Sequence, residues 1–272
     1  MNAAHPIDRG SRPAAPAPLM AVWLVCRTVW LGALRRKDLG VAALLMGLYV
    51  VGAGAVGIVR ESTTAESRFI MNLGLTVSYW LSAVVTAFLA AREIPEEIEN
   101  RTLYPLLAKP VSRGQFVTGK FVAVAVVGAA VLLVFTQFTL WVSPWLPEFQ
   151  AGTMAQALAL AVFSLAMLSA LVICASVWLP AAAALVLGLA SFFFLGVAIE
   201  AIRTGFDGVF RTAIAGALWY VPDFSRLDLL ARFTDGAPPL AGGDYGRLVL
   251  HTAVLTALLI YAAAGGLRRK AL

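Results

Sequence analysis

Between Lys120 and Glu200 the only charged side chain is Glu148. A soluble domain carries about a quarter of its residues as charges and spreads them over its surface, so residues 121–199 cannot form an ordinary water-facing fold. They belong in a bilayer, whose apolar core of about 30 Å takes about 20 helical residues to cross. The rest of the chain agrees, with 60% hydrophobic and 13% charged residues and a mean hydropathy of +0.84.

The 20-residue ruler predicts an all-α polytopic membrane protein with six transmembrane helices, near 39–58, 70–91, 116–143, 153–178, 181–199 and 247–266. The third is longer than a bilayer needs and should tilt or project, and Trp178-Leu179-Pro180 divides the fourth from the fifth. Basic residues cluster before the first span (Arg27, Arg35, Arg36, Lys37), in the second loop (Arg92, Arg101, Lys109, Arg113, Lys120) and after the last span (Arg268, Arg269, Lys270). Positive charge marks the cytoplasmic side, and six spans with both termini inside satisfy all three clusters. The expected location is the bacterial inner (cytoplasmic) membrane, crossed many times.

Residues 1–18 hold four prolines without apolar periodicity and read as a disordered tail. They lack the order of parts in a secretory signal, so the N-terminus is expected in the cytoplasm. Residues 19–38 read as an interfacial helix, with Trp23 and Trp30 one heptad apart and a basic end; a short seventh span is the alternative. Residues 39–272 form the transmembrane domain. Its segment 200–246 mixes Arg203, Asp207, Asp223, Arg226, Asp228, Arg232 and Asp235 with apolar runs. It is expected on the outer side, as short helices dipping into the membrane or as a folded surface loop. Cys26 and Cys174 sit in apolar surroundings without metal or redox spacing and read as packing residues.

The densest chemistry lies in the loop 92–115. Pro95 suits the first position of a helix, Glu96 and Glu97 its first turn, and Glu97 could pair with Arg101 four residues on, which predicts a short helix over about 95–104. Ile94 and Ile98 share one side of it, and Leu103 continues the apolar surface. Pro105 and Pro110 end the helix and enforce an extended exit through Lys109, after which Ser112 and Gln115 have capping-box spacing at the head of the third span. On the residues alone, this is either a docking helix that passes a partner's movement to two membrane helices or a solvated loop with ordinary punctuation.

The run Glu-Ile-Glu-Asn-Arg-Thr-Leu-Tyr-Pro-Leu-Leu-Ala-Lys-Pro-Val-Ser-Arg, residues 97–113, followed by Gly119-Lys120, resembles the coupling-helix region of type-2 ABC transporter permeases. It is most similar to the branch associated with multicopper-enzyme maturation and to the permease of nitrous oxide reductase gene clusters. Tyr220-Val-Pro-Asp223 resembles a short element that such permeases carry before their last span. The resemblance implies a homodimer, or a pair of similar permeases, docked on cytoplasmic ABC ATPase subunits that bind ATP and Mg. It assigns Glu93, Pro95, Glu96, Glu97, Ile98, Glu99, Arg101, Thr102 and Leu103 to the coupling helix and Lys109, Pro110, Ser112 and Arg113 to its exit. Within the helix, Glu93, Glu96, Glu97, Glu99 and Arg101 would make polar contacts while Ile98 and Leu103 fill a groove. The chain itself would be no enzyme and hold no cofactor or metal; membrane lipids and a periplasmic accessory protein are further expected partners, and nucleic acid is not.

Other classes fit less well. Gly114 to Lys120 has phosphate-loop spacing, but Phe121 stands where the magnesium-binding Ser or Thr belongs. An ion-coupled transporter would place charges within its spans, whose centres have none, and His251 lies near the start of the sixth. An intramembrane enzyme would need a nucleophile with a base or a carboxylate dyad in one plane, and the spans offer neither. Thr136, Gln137, Thr139, Ser164, Ser169 and Ser176 read as ties between helices. A mechanotransmitting subunit that uses an ATPase to move a periplasmic partner would share the same coupling helix.

Overall fold

A computed structural model describes residues 18–35, 64–99, 112–142, 150–205 and 221–270, together with the helical positions 40, 44–45, 47–49 and 51–52. Among the described residues every regular element is helical: α1 (Pro18–Arg35), α2 (Thr64–Glu93), α3 (Pro95–Glu99), α4 (Arg113–Val142), α5 (Ala151–Trp178), α6 (Ala181–Gly205), a 3-10 turn (Ser225–Leu227), α7 (Leu230–Thr234) and α8 (Gly242–Lys270). Five stretches are long and apolar enough to cross a membrane: Ser67–Glu99, Arg113–Trp141, Ala151–Trp178, Ala181–Ile202 and Gly242–Arg269. The protein is an all-α polytopic membrane protein. Most of the first predicted span, 39–58, and the tail 1–17 lie outside the described residues.

Helix ends depart from the apolar ruler because local chemistry sets them. Pro18, assigned to the tail on sequence, opens α1, where its fixed φ suits the first turn. α8 begins at Gly242 and takes Asp244 into its first turn, while α6 runs on to Gly205, so the predicted segment 200–246 loses both its ends to helices. Between α5 and α6, Leu179 is extended at φ −108° and ψ 154°, the conformation a following proline favours.

α5 is the central helix, packed by α2, α4, α6 and α8. Small residues allow the close approaches: Gly128 of α4 lies against Thr86 of α2, and Gly188 of α6 against Val172 of α5. Hydroxyls add ties across helices. Thr139 of α4 bonds Ser78 of α2 at 2.8 Å and Tyr49 at 2.7 Å, and Tyr79 of α2 bonds Ser164 of α5 at 2.5 Å. Ser169 and Ser176 instead donate to carbonyls of their own helix, those of Ala166 and Ile173.

The antiparallel course brings the end of α2, the start of α4 and the end of α8 together. Arg113 donates to the carbonyls of Leu267 and Arg268, at 3.3 and 2.9 Å, and so caps α8. α1 lies along the first half of α4, with the Cys26 thiol on the Gly119 carbonyl and the Trp30 indole N–H on that of Ala123. Trp23, Leu24 and Leu31 remain on its exposed side.

At the opposite end, residues 221–241 turn back into the bundle. The buried ring of Phe224 meets Phe192, near the midpoint of α6, at 5.4 Å between centroids. Side chains of the bundle satisfy part of this irregular backbone. Gln156 of α5 accepts the Leu240 N–H at 2.8 Å and donates to its carbonyl at 3.2 Å, while Thr153 and Gln150 donate to the carbonyls of Ala237 and Gly236. Gly236, at φ 71°, makes the left-handed turn that ends α7.

Candidate functional site

α2 ends at Glu93, a turn at Ile94 follows, and α3 begins at once with Pro95. The Ile98 N–H donates back to the Ile94 carbonyl at 3.2 Å, so α3 extends the end of α2. Ile94 is fully buried and anchors the corner in the core, whereas Ile98 is 43% exposed and Glu99 is exposed beside it. The two isoleucines therefore face different surroundings: one is spent on the bundle, and the other is presented outward. Glu96 and Glu97 occupy the first turn, where the helix dipole favours anions.

Lys120 of α4 closes the site. Its ammonium donates to Glu93 at 2.6 Å and to Glu97 at 2.9 Å, and stands 5.7 Å from the centre of the Phe116 ring. Lys120 is 6% exposed and Glu93 8% exposed. Charges this deep are tolerated only when paired and hydrogen-bonded, and here one ammonium serves two carboxylates. The Arg92 guanidinium lies over the Phe88 ring at 4.1 Å, on the last turns of α2.

The exit of the loop is built as a helix start. The Ser112 hydroxyl accepts the Gln115 N–H at 3.2 Å and the Gln115 side chain accepts the Ser112 N–H at 2.9 Å, a reciprocal capping box at the head of α4. Arg113, next to it, is occupied with α8. Arg101, Thr102, Leu103, Lys109 and Pro110 lie outside the described residues, and with them the expected Glu97–Arg101 pair and the continuation of the helix to 104.

On sequence, Lys120 marks the inner side, ends a phosphate-loop spacing and closes the run that resembles a coupling-helix region, with no partner assigned to it. In the fold, Gly114 to Lys120 is helix throughout and Lys120 is bound by carboxylates, so no phosphate cradle forms there. The available signal was a single lysine two turns inside an apolar helix, following a stretch rich in glutamate.

A family model described as "ABC-2 family transporter protein" matches residues 34–200, more than half of the 272-residue chain. The chain belongs to the ABC-2 family. It is thus the membrane component of an ABC transporter, a permease, and permeases of this family in general work with an ATPase partner. The matched region includes the whole Glu93–Glu97–Lys120 site and ends within α6, before the re-entrant segment and α8. No curated protein matches the chain.

The re-entrant segment of this ABC-2 permease holds a second polar group. Asp223, buried, accepts Arg226 at 2.8 Å and the Ser225 hydroxyl at 2.6 Å. Burial pushes the Asp228 carboxyl above its ordinary value of 3.8, against the opposing effect of the Leu230 N–H that it accepts at 3.2 Å.

Proposed function

We propose that this permease couples ATP hydrolysis by a separate cytoplasmic ATPase to the export or movement of a substrate across the bacterial inner membrane. It works as a homodimer or with a similar permease, in the branch that serves multicopper-enzyme maturation or nitrous oxide reductase clusters. α3 is the coupling helix. The observation that carries this reading is the division of labour at the corner: Ile94 is sunk in the bundle while Ile98 and Glu99 face outward from the same short helix. Such a presentation suits a groove on a partner, and Arg113, Arg268 and Arg269 at the same end mark it as the cytoplasmic side. Glu96, Arg101, Thr102 and Leu103 would extend the contact, and ATP and Mg belong to the partner.

Movement of a periplasmic accessory protein without cargo is the second reading, favoured by the re-entrant segment that closes the opposite end. Both readings require ATPase coupling, and flux of a defined cargo in liposomes separates them. Coupling itself is tested by co-expression with a candidate ABC ATPase from the same genome. The permease should copurify with it and stimulate its hydrolysis, and Ile98→Asp should abolish copurification while the permease stays folded. Copurification that Ile98→Asp leaves intact would remove α3 from the interface.

A further inference from the structure

Glu93 and Glu97 were expected to make polar contacts with the ATPase, yet both carboxylates bind Lys120 of their own chain. We propose that Lys120 is a positioning residue for transport: its ammonium fastens α3 to α4, so that a push on α3 moves the transmembrane helix rather than bending the corner. The inference rests on the coupling reading above and assigns within it a role that docking alone does not supply.

α3 needs such a fastening. Five residues are too few to hold a helix by themselves, because the first turn fixes several dihedral angles for a single hydrogen bond. Ile94 secures the corner to the core but lies before α3, and Ile98 faces outward. The Glu97–Lys120 bond ties α3 itself to α4, across 23 residues of chain. The same turn of α4 also receives α1: the Gly119 carbonyl accepts the Cys26 thiol, and a side chain at Gly119 would meet Val25 Cβ at 2.7 Å. Adjacent residues of α4 therefore hold α3 and α1, and a displacement of α3 reaches both.

The charge count makes the two bonds unequal. Glu93, with 9% of its side chain exposed, and Lys120, with 7%, form a neutral buried pair; Glu97, at 20%, adds a carboxylate from the solvent side. Removing Lys120 strands Glu93, whereas removing Glu97 leaves the pair intact. Glu97→Ala is accordingly the variant that removes the bond from α3 to α4 and spares the buried pair.

The test uses the full permease in nanodiscs with its ATPase, read at increasing ATPase concentration. Glu97→Ala should lower the maximal permease-stimulated hydrolysis roughly tenfold, within the range of measured coupling effects, and leave the half-saturating ATPase concentration unchanged. A docking role would do the reverse, and that result, or no change in either quantity, overturns the proposal. Amide exchange on the permease alone should rise at residues 96–99 in Glu97→Ala and nowhere else; unchanged exchange there also overturns it. If the unsubstituted permease neither binds nor stimulates the ATPase, the coupling function fails while the exchange measurement still decides the fastening.

Discussion

The bundle is closed at its two ends by different chemistry. Where α2 gives way to α3, three charged side chains, Glu93, Glu97 and Lys120, form a knot with two members almost out of reach of water. Where residues 221–241 turn back into the bundle, the Asp223–Arg226 ion pair stays within the segment, and neutral amides and hydroxyls of Gln150, Thr153 and Gln156 hold its backbone to the helices one bond at a time. A charge knot concentrates its effect in a few atoms and fails together; a distributed neutral network yields one bond at a time, each worth about 1 kcal/mol. The first arrangement suits the force-transmitting joint proposed above, and the second a segment that must stay seated against the helices.

The largest effect is expected from Lys120→Met. It leaves Glu93 buried without its cation, a change that costs about 3–5 kcal/mol in comparable sites. The thermal midpoint of the detergent-solubilised permease should fall steeply, and adding Glu93→Gln and Glu97→Gln to the same chain should restore most of it. Gln156→Ala, at the other end, forfeits two hydrogen bonds and should cost about 1–3 kcal/mol. Equal losses for Lys120→Met and Gln156→Ala would show that the two ends are not built differently.

Glycine contacts probe the ends with a smaller effect. An added Cβ at Gly266 of α8 would stand 2.8 Å from Trp178 Cζ2 and 3.0 Å from Val177 Cγ1, so Gly266→Ala must spread α8 from α5. At Gly196 of α6 the Cβ would meet Ser225 Oγ at 2.6 Å and Ser225 Cβ at 2.7 Å, so Gly196→Ala must lift the turn that holds Asp223 and Arg226. Each should cost about 1–3 kcal/mol, as overpacking does. The two should differ in reach: Gly196→Ala should speed amide exchange at 223–235 alone, and Gly266→Ala along α5 and α8 together.

The same division explains what could be read from the sequence. Apolar length and charge depletion are local properties, so they marked the apolar parts of α2, α4, α5, α6 and α8, whose ends lie up to six residues beyond, and Leu179-Pro180 marked the break between α5 and α6. The Ser112–Gln115 box, three residues apart, was legible for the same reason. Lys120 was not, because its partners lie 27 and 23 residues away and are brought to it only by the antiparallel course of α2 and α4. Nor was the depth of Phe224, which depends on a fold-back onto Phe192 that no periodicity encodes. Glutamates at 93, 96, 97 and 99 look alike in a string; the helix corner turns two of them inward to one lysine.

The smallest effect concerns Asp228, a half-buried carboxyl in the segment that turns back, near Tyr79 of α2. Burial raises its pKa in the seated segment above the ordinary 3.8, so the seated form binds the proton more tightly than the released one. The contribution is therefore most favourable below 3.8, where both forms are protonated, and is lost as pH rises through the raised value; at neutral pH the ionised carboxyl weakens seating. Asp228→Asn keeps an oxygen to accept the Leu230 N–H and removes the titration. After correction for intrinsic rates, amides 228–235 of the unsubstituted permease should exchange faster as pH rises from about 4 to about 8, while those of Asp228→Asn should show little change and greater protection near pH 8. A parallel pH response in both would mean that the carboxylate is solvated when the segment is seated, where the fold places it half-buried.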